Sequence, residues 1–373
     1  MSINKYSFPV RLAIFLFNTI LIFYALIIAR EYLYPVFLGM LFAYLLLPIG
    51  KFLEKHHFAR IPANFISIII GIVVIAGAVF LVYQQIMVLL EDLPDLKQQA
   101  SKNVNQIVAS VNEYLGLEQA ELKKMLNQRV NNLFDSSSDF VSKVFTATTG
   151  TVVKIGLMPV YVFLFLYYRT KIAVFILKLV PSDKKQRTIN ILRDIEHVTV
   201  RYMAGVFTVV AILCVLNSLG LYIIGIKYAV VLGIISALFN FIPYFGTLLG
   251  GIIPLTFAIL TAPSPVYPLR VVVLFIIIQF IENNILTPNI SGGAVKINPM
   301  VTIVSIVAAA MIWGIPGMFI IIPVMGMIKI VTEHIPETRP YAFLLGTEGT
   351  EKHSLNRENV SLFYQKIKRI FGK

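Results

Sequence analysis

A chain of 373 residues that is 57% hydrophobic and only 14% charged, with a mean hydropathy of +0.80, is far from the composition of a water-soluble globular protein. Its net charge of +13 is carried by short segments beside long apolar runs, which points to anionic lipid and membrane topology and away from a nucleic-acid partner. A single cysteine, Cys214, excludes an intrachain disulfide framework and a multi-cysteine metal site.

The pattern predicts an all-α, polytopic integral membrane protein with about eight membrane segments, including broken or re-entrant helices in the C-terminal half. The first apolar run, Leu12–Ala29, follows Lys5 and Arg11 as a signal peptide would. It leads into Arg30-Glu31 and a second apolar run with no small-x-small cleavage site, and is therefore expected to be an uncleaved first span. Further spans are expected near 33–50, 62–90 and 150–168, because about 20 apolar residues cross the hydrocarbon core. The loop cations Lys51, Lys55 and Arg60, and the series from Arg169 to Arg201, fall on one side with Lys5 and Arg11 if the N-terminus is cytoplasmic.

Residues 91–149 are the longest polar interruption and would then lie outside. Leu96, Val104, Ile107, Val111 and Leu115, and again Leu122, Met125, Leu126, Val130 and Leu133, recur near helical spacing and predict a pair of amphipathic helices. Residues 171–201 form a basic cytoplasmic arm, with Ser182 after Pro181 as a helix N-cap and Ile189, Leu192, Ile195 and Val198 on one face. A fifth span follows near 203–226, with Asn217 as its main polar residue. At the C-terminus, Phe363, Ile367, Ile370 and Phe371 share a helical face beside Lys366, Lys368 and Arg369, a basic amphipathic helix suited to an anionic cytoplasmic leaflet. The organisation expected is spans one to three over 1–90, an external helical region over 91–149, span four and the arm over 150–202, a broken-helix transport core over 203–332, and a cytoplasmic tail over 333–373.

The core is where the sequence is most informative. Residues 228–269 contain no Asp, Glu, Lys or Arg, yet are cut by Pro243, Gly246, Gly250, Gly251, Pro254 and Pro263. Residues 297–328 repeat the pattern with Pro299, Gly314, Pro316, Gly317 and Pro323. Lipid offers the backbone no hydrogen-bond partners, so such breaks survive only inside protein or beside a wet cavity, where transporters place their sites. The 228–262 run can make two spans or one span with a re-entrant hairpin at Pro243–Gly246, and 297–331 a hairpin or two short spans.

Two constellations carry candidate binding groups. In the first, Asn240, Pro243, Tyr244 and Gly246 combine a missing backbone donor with a turn-tolerant glycine. In the second, Gln279, Glu282, Asn283 and Asn284 end the apolar run 271–281 and precede Pro288, with Asn298 before Pro299. A carboxylate at membrane depth costs about 2.5–3.5 kcal/mol on insertion scales, so Glu282 needs a proton, a cation or water, while the amides can hydrogen-bond a polar solute. Gly250, Gly251, Pro254, Pro288, Pro299, Gly314, Gly317 and Pro323 are the expected hinges and helix breaks. Enzyme signals are missing: there is no HExxH, GxSxG or GxxxxGK[ST], and the pair His56-His57 sits in a basic loop. No catalytic residue, cofactor or metal is expected.

These residues resemble the autoinducer-2 exporter (AI-2E) family of bacterial membrane transporters over most of 30–332. The resemblance is carried by the stretch from Tyr34 to Pro48, Ile61-Pro62, Leu157-Met-Pro-Val-Tyr161, and Pro181 with the arm to Arg201-Tyr202 and Gly205. It is carried further by Ile242-Pro-Tyr-Phe-Gly246 with Gly250 and Pro254, Ile281-Glu-Asn-Asn-Ile-Leu-Thr-Pro288, and Asn298-Pro299 with Gly314, Gly317 and Pro323. Arg169-Thr170 and Asn298 depart from the pattern common among relatives. The resemblance implies a multi-pass homo-oligomer of the bacterial cytoplasmic membrane that moves small solutes, autoinducer-2-like signals for some members and Na+ against H+ for others. Three readings stay open: a gradient-driven exporter of a small polar solute coupled to H+ or Na+, a cation/proton antiporter, and a non-transporting scaffold that binds partners through its external helices.

Overall fold

The computed structural model describes residues 7–115, 123–132, 148–242, 245–291 and 295–348. The amphipathic helix expected at 359–373 lies outside these residues, as do Pro243 and Tyr244. The regular elements among the described residues are all helical: α1 (Phe8–Ile28), α2 (Arg30–Lys55), α3 (Arg60–Glu91), α4 (Leu93–Leu115), α5 (123–132), α6 (Thr148–Leu179), α7 (Lys185–Ile224), α8 (Ala229–Leu238), α9 (Phe245–Thr261), α10 (Val266–Ile281), α11 (Pro299–His334) and α12 (Arg339–Leu345). Seven described helical stretches are long and apolar enough to cross a bilayer, which makes the protein an all-α polytopic membrane protein.

Sequence punctuation sets many of the boundaries. Helix α2 ends at His57, whose positive φ of 67° places it at the first left-handed position. The Phe58 amide then reaches the Leu53 carbonyl and the His57 amide that of Glu54, so the histidine pair serves as the helix terminator. Pro62 falls in the first turn of α3, where its missing N–H costs nothing. Gly225, at φ 89°, closes α7 in the same way, with Ile226 N–H on Leu221 O, and both flanking side chains enter one apolar cluster. The start of the basic arm, to Leu179, belongs to α6. Its remainder from Lys185 joins the fifth span in one 40-residue helix, α7, where two helices were expected, because no proline interrupts the sequence from Lys185 to Ile224. The N-cap position there falls to Pro181 rather than Ser182, which opens a 3-10 turn, Ser182–Lys184, leading into α7.

The chain divides into two compact units. One comprises Met1–Arg30, Thr170–Thr199 and Ala294–Lys373, the other Glu31–Arg169 and Val200–Gly293. In the first unit, α11 is interrupted at Gly314, whose φ of 64° and ψ of −143° are not helical. A Cβ on Gly317 would lie 2.3 Å from the carbonyl oxygen of Ala309, eight residues earlier. A straight helix separates such residues by about 12 Å, so α11 doubles back as a hairpin at Gly314. Trp313 Nε1 at the bend donates to Leu26 O of α1 at 3.0 Å. His334, at the other end of α11, lies 3.3 Å from Asp194 of α7.

In the second unit, α2, α3 and α6 pack through Ala43, Leu47, Ile68, Val162 and Leu166. At the end of α2, Glu54 accepts from Arg169 Nη2 of α6 at 2.5 Å and lies 3.7 Å from Arg60 Nε of α3. One carboxylate thus gathers three helices. Helices α8 and α9 fold against each other, and their cluster with the end of α7 and with α10 contains Leu221, Ile226, Val231, Leu232, Ala258 and Val271. In the 91–132 region, Leu96 and Val104 of the predicted stripe are buried together with Ala100 and Val108, and Val130 of α5 completes that small core.

Candidate functional site

Helix α8 spans ten residues and α9 seventeen, about 15 and 25 Å of rise, so each falls short of a hydrocarbon core of about 30 Å. The chain reverses between them through a 3-10 turn at Phe239–Phe241. Gly246 makes the reversal sterically feasible. A Cβ there would sit 2.1 Å from Phe239 O and 2.6 Å from Asn240 Cα. Gly250 meets the Ser236 carbonyl as closely, at 2.6 Å, one turn further along. Gly251 faces the Phe275 ring of α10, and Pro254 is fully buried. The 228–262 run is thus one short helical hairpin, with Asn240 half-buried at its tip.

Helix α10 does not end at Glu282. The chain continues as a ten-residue π-helix, Glu282–Ser291, with Pro288 inside it. The stretch 282–291 is therefore helical, and of the wide form often found at functional sites. In its i→i−5 pattern, Pro288 withholds an N–H from the carbonyl of Asn283. Glu282 is half-buried and hydrogen-bonds the Gln279 side chain one turn earlier, Asn283 is exposed, and Asn284 Nδ2 donates to Phe280 O at 2.8 Å.

The hairpin tip and the π-helix share a foundation. Val209, Val210 and Leu213 of α7 pack with Ala237 of α8, Phe241 of the tip, Ile278 of α10, and Leu286 and Ile290 of the π-helix. Asn240 and the Gln279–Glu282–Asn283 group therefore extend from one apolar cluster centred on α7. Chemically this is a carboxylate among neutral amides, which can hold a proton or a monovalent cation and hydrogen-bond a polar molecule, and which offers no nucleophile–base pair.

Asn298 is placed differently. Its Oδ1 accepts from Val301 N at 2.8 Å, its Nδ2 donates to Leu344 O at 2.5 Å, and its backbone amide donates to Leu345 O at 2.9 Å. It caps α11, with Pro299 in the first helical position, and ties down α12. Pro299, Gly314, Gly317 and Pro323 belong to α11 and to the first unit, whereas the Asn240 and Glu282 groups belong to the second. A separate cleft of about 230 Å3, lined by Glu31, Tyr32, Pro35, Leu157 and Tyr161, contains none of the predicted binding residues.

Several polar contacts at the hairpin lie outside the two predicted constellations. Asn217 of α7 is 2% exposed and its amide reaches Gly233 O of α8 at 3.5 Å, leaving Oδ1 buried without a hydrogen bond. Asn103 of α4 donates to Leu260 O and Ala262 O of α9 at 2.9 and 2.8 Å. Asp92, at the end of α3, accepts from Lys227 Nζ at 2.8 Å and from the Tyr228 hydroxyl. The Lys227 and then the Tyr228 hydrogen bond hold the Asp92 carboxyl below its ordinary 3.8, while the bond to Asp92 raises the Lys227 ammonium above 10.5. The carboxylate's contribution is thus complete above pH about 4 and lost as pH falls through its depressed value. The ammonium's is complete below 10.5 and lost only above that. No periodicity marks the Asp92 and Asn103 pairs, because their partners are 135 to 159 residues away.

The AI-2E family transporter model matches residues 15–337. Three relatives carry the name "Putative transport protein". YrrI of Bacillus subtilis is 26% identical over 82% of this chain and 87% of its own length. YueF of the same organism is 22% identical over 79% and 82%. A protein of Borreliella burgdorferi is 25% identical over 92% and 91%. A match of this extent, on a helical membrane fold with short hairpins where the sequence breaks its apolar runs, establishes that this chain belongs to the AI-2E family of transporters.

Proposed function

We propose that the protein is a secondary transporter that exports a small polar solute, of the autoinducer-2 type, across the bacterial cytoplasmic membrane, with both termini cytoplasmic. The solute is held by the Asn240 and Gln279–Glu282–Asn283 groups, and alternating access arises from rearrangement of the broken-helix segments within 203–332, driven by H+ or Na+ at Glu282. The observation that carries this reading is the common apolar cluster on α7 beneath the hairpin tip and the π-helix. A hairpin short of full bilayer depth turns through backbone that lipid alone does not satisfy, and Pro288 leaves one carbonyl of the π-helix without its donor. Sparse intramembrane charge suits a neutral or weakly charged cargo better than a dedicated ion pump. The protein is expected to work as a homo-oligomer.

The test is flux in proteoliposomes with imposed pH and sodium gradients and polyhydroxylated solutes of autoinducer-2 size. The reading predicts solute movement that accelerates with one gradient and dissipates that gradient faster when solute is present. Dissipation of the pH gradient by Na+ or K+ without any organic solute would make the protein a cation/proton antiporter instead. Absence of both would overturn transport through this core.

A further inference from the structure

The hairpin α8–α9 is held at both of its open ends, and the residues that hold it come from outside the predicted transport core. At the α9 end, the last carbonyls of a helix lack intrahelical donors. Asn103 supplies them, spending both amide hydrogens on Leu260 O and Ala262 O. The Leu260 side chain then enters the core of α4 and α5, formed by Ala100, Val104, Val108 and Val130. At the α8 end, Tyr228 occupies the N-cap position at φ 60° and ψ 31°, a left-handed conformation that a tyrosine adopts only when its surroundings enforce it. Its hydroxyl and the Lys227 ammonium both bond Asp92, its ring meets Phe257 of α9 edge-on at 5.9 Å, and Lys227 lies 5.1 Å over that ring.

Asp92 and Asn103 are eleven residues apart at the start and middle of one helical stretch, about 16 Å along its axis. That length spans the two legs of a helical hairpin, whose axes pack about 8–10 Å apart. We infer that Asp92 and Asn103 are positioning residues, a two-point clamp through which the 91–132 region fixes the α8–α9 hairpin at the ends opposite its Asn240 tip. The clamp acts on cargo only through the hairpin, so its effect on transport rests on the function proposed above, whereas its effect on the hairpin does not.

Hydrogen exchange and flux on the full-length protein, in nanodiscs and proteoliposomes, separate the two. Asn103→Ala and Asp92→Asn are each expected to speed amide exchange in 229–242 and 245–262 by about tenfold, the worth of one to two hydrogen bonds, with α2 and α6 unchanged. Asn103→Gln, which keeps both N–H donors, is expected to recover most of the protection. Asn105→Ala, which removes the acceptor for Asn127 Nδ2 within the α4–α5 region, should leave the hairpin unaffected. Unchanged exchange in the hairpin, or an equal rise in α2 and α6, would overturn the clamp. A loosened hairpin with unchanged solute flux would leave the clamp standing and remove the hairpin from transport.

Discussion

Glu282→Gln is expected to abolish gradient-driven transport while leaving the protein folded and inserted. The substitution keeps the size of the side chain and a polar contact to Gln279, and removes the only step at this position that can follow a proton or cation gradient. One charge moved through 100 mV is worth about 2.3 kcal/mol, so a coupled carrier can sustain roughly a 50-fold solute ratio. The variant should sustain a ratio near one, measured with labelled solute in proteoliposomes under an imposed gradient. Exchange of solute without a gradient should persist in it, because the amides of Gln279, Asn283 and Asn240 remain. Full gradient-driven accumulation by the variant would remove Glu282 from the mechanism.

Gly246→Ala should damage the protein at a different level, that of the backbone. The added methyl would stand 2.1 Å from Phe239 O and 2.5 Å from its carbonyl carbon, and neither atom can rotate aside as a side chain does. Overpacking commonly costs about 1–3 kcal/mol, and a clash with main chain belongs at the upper end, about 3 kcal/mol. The thermal midpoint in detergent should fall by several degrees, with faster exchange confined to 229–261. Gly77→Ala is the matched control: nothing lies within 4 Å of a Cβ there, and the helix propensity of alanine gives a neutral or slightly stabilising change. Equal effects of the two substitutions would mean that the hairpin is not packed as described.

The parts of this fold that were legible in the sequence follow from local rules. Uncharged runs interrupted by proline and glycine announced broken helices because a membrane punishes unpaired backbone, and the chain does bend at Phe239–Phe241, against Gly246, and at Gly314. Asn298 shows a local rule misapplied. An asparagine directly before a proline that opens a helix is an N-cap signature, and the structure uses it so, with its amide engaged by Val301 and Leu344. The π-helix at Glu282–Ser291 was not legible, since its wide pattern follows from Leu286 and Ile290 reaching the α7 cluster and not from residue propensity. Nor were Glu54–Arg169, Asp92–Tyr228 and Asn103–Leu260, which pair residues more than a hundred positions apart. The polar contacts that position the hairpin are therefore properties of the tertiary structure, while the existence of the hairpin is a property of the sequence.

Water access to the Asn240 tip and the Glu282 π-helix is the most direct measurement. With Cys214→Ser as a cysteine-free background, single cysteines at Asn240, Asn283 and Asn284 are probed with membrane-impermeant thiol reagents from each side of sealed vesicles. Alternating access predicts labelling at all three positions, from opposite sides in turn as the gradient is reversed, and protection by transported solute. If these cysteines stay unreactive from both sides under every gradient, no aqueous pathway reaches the interrupted helices, and solute does not cross the membrane there.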